Sequence, residues 1–230
     1  MAGSWWTPAT AHRPPSTSHE PPASGATPLN LLLEIACGSI ADARVAATGA
    51  DRLELCAALE VGGLTPSIGA ALEVDAAVAV PFVAMLRPRA GDFVCSVAEL
   101  AVMERDAALL LEAGASGIVF GCLTQDGQVD VLACRRLIEV AGAAETVFHR
   151  AFDEARAPFE ALETLADLGL TRILTSGGAR TALEGVARIR ALVDRAAGRI
   201  EMLPGGGIRE HIVAAVVRQT GCDQVHLSRR

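Results

Sequence analysis

Eight short apolar runs alternate with helix-like segments from residue 31 to the end of the chain, and few folds accommodate that alternation. The runs are LLLEIA (31–36), RLEL (52–55), PFVAML (81–86), GIVF (117–120), TVFH (146–149), RILT (172–175), IEML (200–203) and QVHL (224–227). Between them lie segments such as 39–50, 97–115, 157–170 and 181–198, whose apolar residues recur at three- and four-residue spacing. Gly49, Gly114, Gly169 and Gly221 each stand shortly before a run, where a helix commonly ends. Strands alternating with helices form a parallel sheet. Eight units repeating every ~20–36 residues predict a closed barrel of the (β/α)8 TIM type, with an open doubly wound sheet as the alternative. Charged residues inside the runs (Glu34, Arg52 and Glu54) favour the barrel, which can point them inward.

The eighth run reaches Leu227 and the sequence stops at Arg230. The predicted architecture is therefore a barrel lacking its final helix. Apolar surface beside the first and eighth strands is expected, a patch for aggregation or for a homo-oligomer. Residues 1–28 differ in kind. They are rich in Pro, Ser, Thr and Ala without periodicity, and are read as a disordered tail preceding a domain at 29–230.

Composition narrows the function classes. The chain is 51% hydrophobic and 20% charged, which suits a globular core. A net charge of −7 and the scarcity of aromatics (six Phe, two Trp, no Tyr) argue against nucleic acid as a partner. No apolar run reaches the ~18 residues of a membrane span. The six cysteines, at 37, 56, 95, 122, 134 and 222, form no CxxC pair, so neither a zinc ribbon nor a disulfide scaffold is expected. Free thiols in a cytoplasmic setting are the expectation.

In a barrel the chemistry sits at the C-terminal ends of the strands. The residues there are Cys37, Cys56, Arg87, Arg89, Asp92, His149, Arg150, Asp153, Ser176 and Gly206. Arg87 and Arg89 either hold an anion or form salt bridges at the rim. The Gly-rich turns after strands six and seven let backbone N–H groups approach a phosphate or carboxylate. His149 is either a structural histidine or, with Asp153 and Glu54, a candidate for proton transfer. Glu34, Arg52 and Glu54 either serve the pocket or form a buried ion network. Cys37 and Cys56 end neighbouring strands, which lie about 4.8 Å apart. Two thiols there suit either Cu(I) or simple packing.

These residues fall in longer strings: LEIACGS (33–39), GADRLELCAALEVGGLTPS (49–67), LRPRAGDFVCS (86–96), GIVFGCLTQDGQVD (117–130), TVFHRAFD (146–153), LGLTRILTSGG (168–178) and GGGIR (205–209). In them the chain resembles the CutC copper-homeostasis family from about Leu31 onward. The resemblance implies a TIM barrel in the cytoplasm, copper as the partner, and Cys37 and Cys56 as Cu(I) ligands. It also implies a polar pocket of Glu34, Arg52, Glu54, Arg87, Arg89, Asp92, His149, Arg150, Asp153 and Ser176. The expected function is copper handling. The alternative is an enzyme acting on a small anionic substrate.

Overall fold

All eight runs become strands in the computed structural model, which describes residues 31–228. They are β1 (Leu32–Cys37), β2 (Arg52–Leu55), β3 (Phe82–Met85), β4 (Gly117–Phe120), β5 (Glu145–Phe148), β6 (Arg172–Thr175), β7 (Glu201–Pro204) and β8 (Gln224–Ser228). Seven α-helices alternate with them: α1 (Ile40–Ala46), α2 (Ile68–Ala77), α3 (Val97–Glu112), α4 (Val131–Ala141), α5 (Pro158–Asp167), α6 (Val186–Ala196) and α7 (Glu210–Thr220). The chain forms a TIM-type barrel without a helix after β8 among the described residues. The tail read at 1–28 lies outside them.

Local chemistry fixes the helix starts. Ser39, Ser67, Ser96 and Asp130 cap α1 to α4 through their side-chain oxygens. Ser96 and Glu99 form a reciprocal capping box. Pro158 opens α5, where its missing N–H costs no helical hydrogen bond. At α6 the close approach is backbone on backbone. A Cβ built on Gly185 would lie 1.9 Å from the Ser176 carbonyl oxygen. Gly185→Ala should therefore destabilise the fold by about 1–3 kcal/mol in a denaturant titration. An unchanged midpoint would show that this turn relaxes freely.

The strands run parallel in the order β7-β6-β5-β4-β3-β2-β1-β8. The β1–β8 ladder, with Glu34 opposite His226, brings the last strand beside the first. Between β7 and β8 no backbone ladder forms among the described residues. Side chains span that seam instead, with Gln224 Nε2 donating to Glu201 Oε2 at 3.0 Å.

Period-two alternation sorts each strand into two faces. Leu53, Leu55, Phe82, Ile118, Phe120 and Ile173 pack in the core shared with the helices. Val83, Met85, Val119, Val147, Leu174 and Leu203 form a separate apolar cluster with Cys56. The rest of the buried polar set includes Glu34, Arg52, Glu54, Arg172, Gln224 and His226. Beside β1 and β8 runs a largely apolar groove of about 430 Å³, lined by residues including Ile35, Val45, Ala46, Ile208 and Leu227. It lies where the sequence leads one to expect uncovered apolar surface.

Candidate functional site

A belt of charged and amide side chains crosses the barrel. Arg172, on β6, donates to Glu145 Oε2 of β5 at 2.7 Å and to Glu201 Oε2 of β7 at 3.2 Å. Glu201 also accepts from Gln224 on β8. Gln224 Oε1 in turn accepts from Arg52 Nη2 of β2 at 3.1 Å. Arg52 Nε donates to Glu34 Oε2 of β1 at 2.5 Å, and Glu34 Oε1 lies 2.8 Å from His226 Nδ1 of β8. Arg52, Glu34 and His226 are all buried. Charges removed from water persist only when paired in this way.

The belt leads upward to Glu54. Its Oε2 lies 3.9 Å from His226 Nε2, beyond a hydrogen bond, and accepts from the Cys56 thiol at 3.3 Å. Burial pushes the Glu54 carboxyl up from its ordinary range. Burial opposes charge on His226, but the carboxyl groups of Glu54 and Glu34 outweigh it and raise the imidazole. Burial acts on Glu34 too, yet the His226 hydrogen bond and charge, with Arg52 beyond, bring it down to about 2. The result is a line of buried titratable groups, Glu34, His226 and Glu54, in which Glu34 and His226 share a hydrogen bond.

Above Glu54 opens a cavity of about 430 Å³ at the barrel mouth. Glu54, His226, Arg87, Phe93, His149 and Arg150 line it, together with Asp153, Gly178 and Gly206. His149 caps the short 3-10 helix Arg150–Glu154, and its Nδ1 accepts from the Ala151 N–H at 3.1 Å. Burial and the nearby Arg87 charge lower its pKa to about 3, so the ring is neutral. With Nδ1 accepting, the proton sits on Nε2. Phe93 lies between the two basic groups. Its ring centroid is 4.9 Å from the His149 ring and 4.9 Å from the Arg87 guanidinium carbon.

Three buried polar atoms lack a hydrogen-bond partner among the described residues: Glu54 Oε1, Arg87 Nε and His149 Nε2. All three belong to residues lining this one cavity. Arg87 Nε and His149 Nε2 carry N–H donors, and a protonated Glu54 adds an O–H. Buried donors almost always find an acceptor. The atoms themselves are shielded from the cavity, so each is an unmet hydrogen-bonding group just behind its wall.

The remaining pocket residues divide by role. Asp153 accepts from Thr175 Oγ1, the Ser176 N–H and Oγ–H, the Gly178 N–H and Arg150 Nε. Its oxygens are fully engaged, which makes it a brace for the β6–α6 turn. Ser176 completes that brace, and Arg150 Nη2 donates to its Oγ at 2.9 Å. Arg150 keeps a side chain open to the mouth. Its Nη1 would lie 3.5 Å from a Cβ on Gly206, which adopts φ +101°. Glycine here keeps both the turn and the approach to Arg150 open. Arg87 spends Nη1 on the Val61 carbonyl and Nη2 on the Gly91 carbonyl, tying two loops together.

Some expected pocket residues lie elsewhere. Arg89 and Asp92 pair with each other at 2.8 Å on the rim, where Arg89 also binds Glu99. Glu34 and Arg52 sit below the cavity in the belt. Cys37 and Cys56 are adjacent along the chain path, since the Cys56 N–H donates to the Cys37 carbonyl at 2.9 Å. Their side chains diverge. Cys37 stands opposite Leu55 in the ladder and joins the core under the helices, whereas Cys56, one residue on, joins the inner cluster. Burial, then the Asp42 and Glu54 charges, push the Cys37 thiol up to about 12. Burial and Glu54 do the same to Cys56. His226 and Phe93, absent from the expected pocket set, belong to the mouth. In the sequence His226 is marked by its place on the eighth strand, among the titratable groups that gather at the active end of a barrel.

The family model described as the CutC family matches residues 31–230. The chain belongs to the CutC family. A CutC family protein of Treponema denticola is 46% identical over 200 residues, covering 86% of this chain and 81% of that protein. The human copper homeostasis protein cutC homolog is 43% identical, over 86% of this chain and 73% of its own. The crystal structure of a CutC protein from Streptococcus agalactiae superposes with a TM-score of 0.82 at 33% identity, covering 87% of this chain and 99% of that one. No helix of this CutC chain, among the described residues, is long and apolar enough to cross a membrane.

Proposed function

We propose that this CutC chain binds a small, oxygen-rich anion at the barrel mouth and moves a proton on it. The observation that carries this reading is one cavity lined by Glu54, Arg87 and His149, each with a buried polar atom that lacks a partner among the described residues. Arg150 adds an accessible positive charge, and the N–H of neutral His149 and the O–H of Glu54 meet acceptor oxygens. Glu54 is the proton-transfer group, and His226, backed by Glu34 and Arg52, restores its protonation state. His149 orients the ligand as a neutral donor.

Thermal-shift and calorimetric titrations with inorganic phosphate, oxalate and pyruvate test it. At least one of the three should raise the midpoint in a saturable manner. Arg150→Met should weaken that ligand by about 10–100-fold, the loss expected of a charge-assisted bond, and Glu54→Leu by about 2–10-fold, the loss expected of a neutral one. No stabilisation by any of the three anions, or unchanged binding in both variants, would overturn the reading.

A second reading has its own observation. Cys37 and Cys56 are joined by a backbone hydrogen bond at the ends of neighbouring strands, and relatives bear the name copper homeostasis protein. In this reading Cu(I) is the cargo, taken up by the two thiols in the cytoplasm. It requires one thiol to swing past the strand end, because the two now face opposite sides of the sheet. Cys37→Ser/Cys56→Ser should then abolish a tight Cu(I) site in anaerobic titration, and undiminished binding would sink it.

A further inference from the structure

Outside the barrel mouth, four sulfur-bearing side chains meet between the strand ends and the helix layer. Cys95 lies in the loop before α3, Met103 on α3, Cys122 just after β4 and Cys134 on α4. Cys95 Sγ is 3.6 Å from Cys122 Sγ and 3.8 Å from Met103 Sδ. The Cys134 thiol interacts with Cys122 and pushes its thiol up. Met103, Cys122 and Cys134 are buried, and Cys95 is half-buried.

The cluster is held in place. The Leu123 N–H donates to the Phe93 carbonyl at 2.9 Å, clamping the loop that carries Cys95 to the loop that carries Cys122. The Ser96–Glu99 capping box fixes the start of α3 next to Cys95. There is also a way in. A cavity of about 10 Å³, the size of one water or one ion, is lined by Cys95 and Met103 and lies beneath the Arg89–Glu99 ion pair.

We propose that Cys95, Cys122 and Met103 form a Cu(I) site separate from the barrel mouth, with Cys134 as a reserve ligand to Cys122. Thiolate and thioether sulfur suit soft monovalent copper, and three sulfurs fall one short of the four ligands that a structural zinc takes. The spacing fits. Three sulfurs arranged trigonally about a metal at about 2.3 Å stand roughly 4.0 Å apart, and the two measured separations need only small adjustments. Binding breaks the S–H bonds of Cys95 and Cys122 and forms two Cu–S bonds. Met103 donates a lone pair, two protons leave to solvent, and no electron is transferred.

This site stands or falls independently of both readings of the mouth. The test is anaerobic competition for Cu(I) against bicinchoninate on the full chain, with proton release followed in parallel. The wild type should bind Cu(I) at this site with two protons released per copper. Cys95→Ser should weaken that binding by about 100-fold, and the volume-conserving Met103→Leu by about tenfold. Cys37→Ser/Cys56→Ser should leave it intact. X-ray absorption of the loaded Cys37→Ser/Cys56→Ser protein should show a sulfur-only shell. Cys95→Ser and Met103→Leu binding like the wild type would overturn the proposal. So would loss confined to Cys37→Ser/Cys56→Ser, or equal affinity for Zn²⁺. Met103→Leu keeps the test decisive if Cys95→Ser does not fold.

Discussion

Replacing Arg52 with alanine should lower the unfolding free energy by about 3–5 kcal/mol, because Glu34 is left buried without its cation. For a chain of this size that corresponds to a fall in Tm of roughly 10 °C. The loss has two parts. Glu34 Oε2 loses the Arg52 Nε–H, and Gln224 Oε1 loses the Nη2–H. Both groups sit where water does not replace the donor. The same logic predicts rescue. Arg52→Met combined with Glu34→Leu removes both charges and should recover most of the loss, since apolar replacements of buried pairs are often neutral. Chemical denaturation of the single and double variants would measure the coupling. A double variant as unstable as Arg52→Ala would show that the pair is needed for more than mutual neutralisation.

Acid should begin to destabilise the chain before ordinary carboxylates titrate, and His149 is the cause. Its folded pKa is near 3 against an ordinary value of 6.5, so the unfolded chain takes up the proton first. Stability from this group is present above pH 6.5 and falls as the pH drops toward 3. Between pH 6.5 and pH 4 the fall amounts to about 3 kcal/mol. Glu34, lowered to about 2, adds a further loss below pH 4.5. His226 contributes with the opposite sign. Its raised pKa gives stability that is complete below pH 6.5 and is lost as the pH climbs through its folded value, so it adds no slope on the acid side. Denaturant midpoints measured from pH 7 to pH 4 should show this decline, and His149→Gln should flatten it. An equally steep decline in His149→Gln would place the acid sensitivity elsewhere.

Much of the barrel was legible in the sequence because strand and helix periods differ. RLEL, GIVF and RILT coincide with β2, β4 and β6. Helix bounds were less legible. The segment 181–198 begins with a turn, and α6 starts only at Val186 because Gly185 sits against the Ser176 carbonyl. The site was partly legible. Glu54, His149 and Arg150 lie at strand ends, and strand ends form the mouth. Arg89 and Asp92 satisfy the same rule of position, yet they turn to each other on the rim. That difference depends on rotamers, which spacing does not encode. The two strand-end cysteines look like a pair at the level of neighbouring strands. A one-residue offset in register sends them to opposite faces. The sulfur cluster was invisible for the converse reason. Cys95, Met103, Cys122 and Cys134 come from two loops and two helices, and only tertiary packing joins them.

The seam between β7 and β8 has a dynamic meaning. Every other neighbouring strand pair is sewn by backbone hydrogen bonds, whereas this junction depends on Gln224, Glu201 and packing at Gly205. Backbone ladders open cooperatively, but a side-chain latch can release with little else disturbed. The barrel should therefore breathe here first, with β8 hinging on its ladder to β1. His226 rides on that strand. Each opening would carry the imidazole away from Glu54 and admit water to the belt, so the rate at which the seam flickers sets how often the buried proton line exchanges with solvent.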